Sequence, residues 1–137
     1  MNLSENFKLE ELIFSSTAQR LQISNYPDVQ EMENLKKLCK EILQPIRNKL
    51  KLPLIVTSGY RNSLLNKVIG GAKNSQHITG EAADIHCADN YKLWSLINQM
   101  IKSGEIVVGQ LINEKNLSWI HISLPSVKHN NQILTIN

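Results

Sequence analysis

Cysteine is scarce in this chain. There are two, Cys39 and Cys87, far apart and in no CxxC pair, which argues against a zinc ribbon. Glycine and proline are also few, six and four, which excludes a collagen or low-complexity chain. No apolar run approaches the roughly 18 residues that span a bilayer, so stable membrane insertion is not expected. The segment from Met1 to Lys8 has neither a basic n-region nor an apolar h-region. It predicts synthesis in the cytoplasm without a secretory signal, and reduced thiols. Charge of one sign is lacking too: 15 basic against 12 acidic residues give +3, which fits an anionic partner without demanding one. The basic residues are spread along amphipathic segments with no aromatic-basic motif, so nucleic acid is not an expected partner.

What is present reads as one domain over residues 1–137, large enough to bury about two thirds of its unfolded surface without a disulfide. Asn6 to Ile13 reads as a helical turn or two, and the polar stretch from Ser15 to Pro27 has room for another. Asp28 with Glu31 forms a capping box. It opens a stripe of Val29, Met32, Leu35, Leu38, Ile42, Leu43, Ile46 and Leu50 at helical spacing, in which Pro45 predicts a kink or a split-off last turn. Cys39 falls on this helix as a core residue. Leu54 to Thr57 reads as a buried strand, Arg61 to Ile69 as a short helix closed by Gly70-Gly71, and Ala82 to Cys87 as a strand. Asp89 caps a helix that ends at Gly104. Ile106 to Ile112 and Trp119 to Leu124 read as a hairpin across a polar turn from Asn113 to Ser118, and Gln132 to Ile136 as a last strand. Helices first, then strands without crossover helices, predict an α+β fold: a mainly antiparallel sheet with helices packed on one side.

The chemistry concentrates in Ser75-Gln-His77-Ile-Thr-Gly80-Glu-Ala-Ala-Asp84 and in Trp119-Ile-His121. A carboxylate such as Asp84 inside an apolar strand is costly unless it is paired or holds a metal. Two imidazoles and one carboxylate suit Zn²⁺ with one position left open, the arrangement of a catalytic rather than a structural site.

The run Ser75-x-His77-x-x-Gly80-x-Ala82-x-Asp84 followed by Trp119-Ile-His121 resembles the peptidase M15 family. Its members include D-alanyl-D-alanine carboxypeptidases and L-alanyl-D-glutamate endopeptidases that cut peptidoglycan stem peptides. Its metal fold is shared with the signalling domain of hedgehog proteins. Ser58-Gly-Tyr-Arg61, Asn66, Gly70-Gly71 and Gln110-Leu-Ile extend the likeness toward the short, phage-like members.

The resemblance implies one Zn²⁺ ion held by His77, Asp84 and His121. It implies Arg61 over the site, holding an oxyanion or a carboxylate. The alternative for Arg61 is a surface residue that caps the preceding strand. Ser75 either touches substrate or braces the His77 loop, and Tyr60 lines the cleft or packs beneath it with Trp119. Many members place a general-base Glu three residues before the last His. Here that position is Ser118, so Glu114 is the expected base, with Glu81 as the alternative. His86 reads as a structural or exposed residue, His129 as a solvated loop residue and Cys87 as a buried thiol. The implied protein is a zinc peptidase, expected as a monomer, acting on peptidoglycan peptides and reaching the wall after holin-type release or as a virion component. A zinc-binding module of the same fold without turnover is the alternative.

Overall fold

The N-terminal segment folds back onto the body before any long helix begins. The computed structural model describes residues 1–137. Leu3, Phe7 and Leu12 are buried, and the buried amide of Gln44 accepts from Ser4 Oγ and the Asn6 N–H, both at 2.8 Å. Helices α1 (Leu9–Ile13) and α2 (Ser16–Arg20) are the two short turns expected there, and Ser15 caps the second through the Ala18 N–H.

The capping box forms as read. Asp28 accepts from the Glu31 N–H at 2.7 Å and Glu31 from the Asp28 N–H at 2.8 Å, opening α3 (Val29–Leu38). Val29 departs from the expected stripe, because the first turn projects past the core and leaves it exposed. At Pro45 the expected split is seen. The preceding turn, Cys39–Leu43, widens to π geometry, with the Gln44 N–H bonded to the Cys39 carbonyl, and α4 (Gln44–Leu50) then starts with Pro45 in its first turn. A proline there forfeits no helical hydrogen bond, so the wide turn accommodates the ring. Burial, reinforced by nearby Glu11, pushes the Cys39 thiol up to about 12, so it is inert core.

Five strands follow: β1 (Ile55–Ser58), β2 (Ala82–His86), β3 (Gln110–Glu114), β4 (Trp119–Ser123) and β5 (Gln132–Ile136). Helix α5 (Ser63–Val68) sits between β1 and β2 under an Asn62 cap. Helix α6 (Asn90–Ser103) lies between β2 and β3, capped by Asp89 and ended by Gly104 at φ 81°. The sheet order is β1-β2-β4-β3-β5. Three pairings are antiparallel as expected, but β5 runs parallel to β3, so the sheet is mixed. Two further corrections concern strands. β1 is an edge strand with alternating exposure rather than a buried one, and Ile106 to Gly109 form no strand although Ile106 and Val108 are buried.

Ala83, Ile85, Leu111, Ile120 and Ile122 turn one face of the sheet into the core shared with α3, α4 and α6. Each such fully buried Leu or Ile contributes about 1.5–3 kcal/mol. No helix is long and apolar enough to cross a membrane.

One glycine ties this packing to the opposite face. A Cβ on Gly59 would stand 2.2 Å from the Leu12 carbonyl oxygen, which accepts the Tyr60 N–H at 2.7 Å. Gly59→Ala is therefore expected to destabilise the protein by about 1–3 kcal/mol, read as a lower urea midpoint at unchanged slope.

Candidate metal centre

Strand register builds half of the site. Asp84 on β2 stands directly opposite His121 on the central strand β4, so their side chains rise from the same face, the one turned away from the helical core. The period-2 alternation that puts Ala83 and Ile85 inside leaves Asp84 outside. The third group, His77, comes from the tight loop that leads into β2. That loop is fastened by the Arg61 N–H to the His77 carbonyl at 3.0 Å and by Asn34 Nδ2 to the Thr79 carbonyl at 2.9 Å.

His77 Nδ1 lies 2.7 Å from the Gly59 carbonyl. A carbonyl only accepts, so Nδ1 carries the proton and Nε2 keeps its lone pair. Nε2 lies 3.3 Å from Asp84 Oδ1, and His121 Nδ1 lies 3.1 Å from the same oxygen. One donor atom from each residue falls within 4.8 Å of the others. Burial lowers the pKa of His77 and favours its neutral, ligating form, the effect of Asp84 notwithstanding. Burial alone would raise the pKa of Asp84, but the hydrogen bond from His121 and the close approach of the His77 ring outweigh it and hold the carboxyl well below the usual carboxylate range. The donor set is thus two imidazole nitrogens and one ionised carboxylate oxygen, with one imidazole oriented by a backbone carbonyl. That is the chemistry of a divalent metal site with its outer hydrogen bonds in place.

These three residues lie in a cleft of about 820 Å³ that also takes in Arg61, Ser75 and Glu114. The arrangement matches a known family: the peptidase M15 family model matches residues 5–123. The chain belongs to the peptidase M15 family. No curated protein matches it. Members of the M15 family are typically metal dependent, and this M15 chain presents a His-Asp-His group that can bind a metal ion.

Arg61 is largely buried. Its Nη1 donates to Asn66 Oδ1 at 3.2 Å, its Nη2 lies 3.9 Å from Asp84 Oδ2, and its Nε has no partner. Burial lowers its pKa and Asp84 opposes the shift. Ser75 is at the cleft and its hydroxyl accepts the His77 N–H at 3.1 Å, so it braces the loop. Glu114 stands opposite Trp119, two residues along β3 from Ile112, which pairs with His121. Glu114 is therefore a diagonal neighbour of His121 on the same face, inside β3 rather than in the turn where the sequence put it. Trp119 lines the cleft, with Lys115 Nζ 5.7 Å from its ring centroid.

The remaining expectations divide. Tyr60 is no part of the cleft: it is only 5% exposed and packs in the core, where burial and the neighbouring Glu31 carboxylate push its hydroxyl pKa up. Glu81 does not line the cleft, and its carboxylate accepts from Thr79 Oγ1. Cys87 is buried just before α6, its sulfur accepting the N–H of the cap residue Asp89 at 3.3 Å, as the buried thiol expected. His86 shares a face with Asp84 but stands opposite Ile55 at the sheet edge, outside the cleft.

Sequence reasoning missed three contributors. Asn66 holds Arg61. Gln76 joins the His77 loop to the end of β4 through its Nε2 and the Leu124 carbonyl at 3.0 Å. His129, read as solvated, lines the cleft with its Nδ1 buried. Gln76 could have been suspected from its place between Ser75 and His77; nothing local marks His129.

Proposed function

We propose that this chain is a zinc-dependent peptidase that hydrolyses peptide bonds in peptidoglycan stem or cross-link peptides. The observation that carries the reading is the convergence of His77 Nε2, Asp84 Oδ1 and His121 Nδ1 beside the unpaired carboxylate of Glu114 in one open cleft. The peptidoglycan substrate rests on the resemblance of the motifs to wall-cutting members of the family. A phage-type enzyme, delivered to the wall at lysis or with the virion, is the setting that this substrate suggests.

Zn²⁺ held by the three ligands would supply Lewis-acid polarisation of the scissile carbonyl and a more acidic water. The protein's own groups do the rest. The Glu114 carboxylate takes a proton from the attacking water and delivers it to the leaving amine. The Arg61 guanidinium, fixed by Asn66, donates to the oxyanion that forms on the carbonyl. Ser75 and Gly59 keep His77 in its ligating orientation.

Zinc-loaded protein incubated with purified peptidoglycan is expected to release fragments with new amino and carboxyl termini, identified by mass spectrometry. Absence of any cleaved stem or cross-link peptide would defeat the reading. It would favour a zinc-binding module without turnover. Ser118 favours that second reading, because it stands where many M15 members carry the base, and its hydroxyl is committed to the Lys115 carbonyl at 2.6 Å.

A further inference from the structure

Every buried side-chain polar atom that lacks a hydrogen-bond partner in this chain belongs to a residue of the cleft: Arg61 Nε, Gln76 Oε1 and His129 Nδ1. Arg61 and Gln76 lie in the segment that matches the family. His129 lies in the loop between β4 and β5, beyond the match at residues 5–123. This loop is built rather than slack. At one end the Leu124 N–H donates to the Glu81 carbonyl at 2.8 Å. In the middle the Ser126 N–H donates to the His129 carbonyl at 2.9 Å, and the His129 N–H returns to Ser126 Oγ at 3.2 Å. At the other end Asn131 Oδ1 accepts the Val108 N–H at 2.9 Å. The parallel pairing of β5 with β3 then locks the loop against the strand that carries Glu114.

The closed turn sets Lys128 and His129 in the wall of the cleft, in the company of Arg61 and Lys115. The acidic groups of the same cleft are Asp84, committed to the ligand cluster, and Glu114. Away from the metal ligands the lining is therefore basic.

We propose that Lys128 and His129 form a substrate-selecting wall that binds a carboxylate carried by the peptide close to the bond to be cut. The proposal rests on the peptidase reading for the identity of its ligand. An ammonium and an imidazole N–H in the same cleft wall supply charge-assisted hydrogen bonds to a carboxylate. A carboxamide of the same shape lacks the charge. The carboxylate has two possible sources, a free chain terminus or an acidic side chain.

The test reads binding, not cleavage, by calorimetry on the zinc-loaded Glu114→Gln protein. One probe pair is N-acetyl-D-alanyl-D-alanine and its carboxamide. The other is N-acetyl-L-alanyl-D-glutamyl amide and N-acetyl-L-alanyl-D-glutaminyl amide. In at least one pair the acid is expected to bind about tenfold more tightly than the amide, as a charge-assisted contact allows. The pair that does so identifies the source. Adding Lys128→Gln and His129→Gln is expected to shrink the preference to about twofold or less, with amide binding and zinc content unchanged. Absence of a preference in both pairs, or its survival in the doubly substituted loop, overturns the proposal. If the acid preference depends on these two residues while wild-type protein cuts no peptide, the peptidase reading falls and the carboxylate wall stands.

Discussion

Asp84→Ala is expected to abolish stoichiometric zinc binding and to lower peptide hydrolysis by at least about a thousandfold, the several kcal/mol of charge stabilisation that a metal ion supplies. Metal content by atomic emission and turnover on peptidoglycan are the two readouts. Asp84 is the hub of the site: its Oδ1 lies within 3.3 Å of a nitrogen of each histidine, and its Oδ2 is 3.9 Å from Arg61. Removing it leaves two imidazoles without the anionic ligand and Arg61 without a counter-charge. Asp84→Asn separates the loss of charge from the loss of side-chain shape. It keeps the shape of the side chain, so the fold is expected to survive, measured by an unchanged urea midpoint, while zinc is still lost. Zinc bound at full stoichiometry in Asp84→Ala would remove the three-ligand site from the molecule.

The second large effect belongs to Glu114. Glu114→Gln is expected to lower kcat by about 10²–10⁴, the usual contribution of a positioned general base, with zinc content unchanged. No side-chain hydrogen bond or ion pair ties the carboxylate up, and the register places it diagonal to His121 across β3 and β4. Glu81→Gln is the control. Its carboxylate is held by Thr79 outside the cleft, so turnover should be close to wild type. Loss of activity in Glu81→Gln with retention in Glu114→Gln would reverse the assignment.

The local signals read well where chemistry and structure share a few neighbouring residues. Asp28 and Glu31, Asp89 and Gly104 bound their helices as expected, because a cap is satisfied within one turn and needs no distant partner. The His-Asp-His group was legible for a related reason. An Asp and a His alternating with Ala and Ile on two strands must leave the core on the other face, and the His77 loop carries its glycine where φ reaches 78°. Residues whose surroundings come from far along the chain were misplaced. Tyr60, next to Arg61, is taken into the core by the α1 segment, whose Leu12 carbonyl binds its N–H. The exposed edge of β1 and the parallel pairing of β5 depend on which strands lie alongside, which period-2 patterning does not specify.

The sequence by itself determined the capped helix ends, the α+β class, the His77, Asp84 and His121 group that can bind a metal ion, and the family to which the chain belongs. These rest on residue type, local spacing and the order of elements along the chain. Only the tertiary structure decided that Glu114 rather than Glu81 shares the cleft with those ligands, and that Tyr60 does not. It also decided that a loop beyond the family match brings Lys128 and His129 to the site. These are matters of strand order and register across the sheet, and long-range pairing fixes them through contacts that no local spacing encodes.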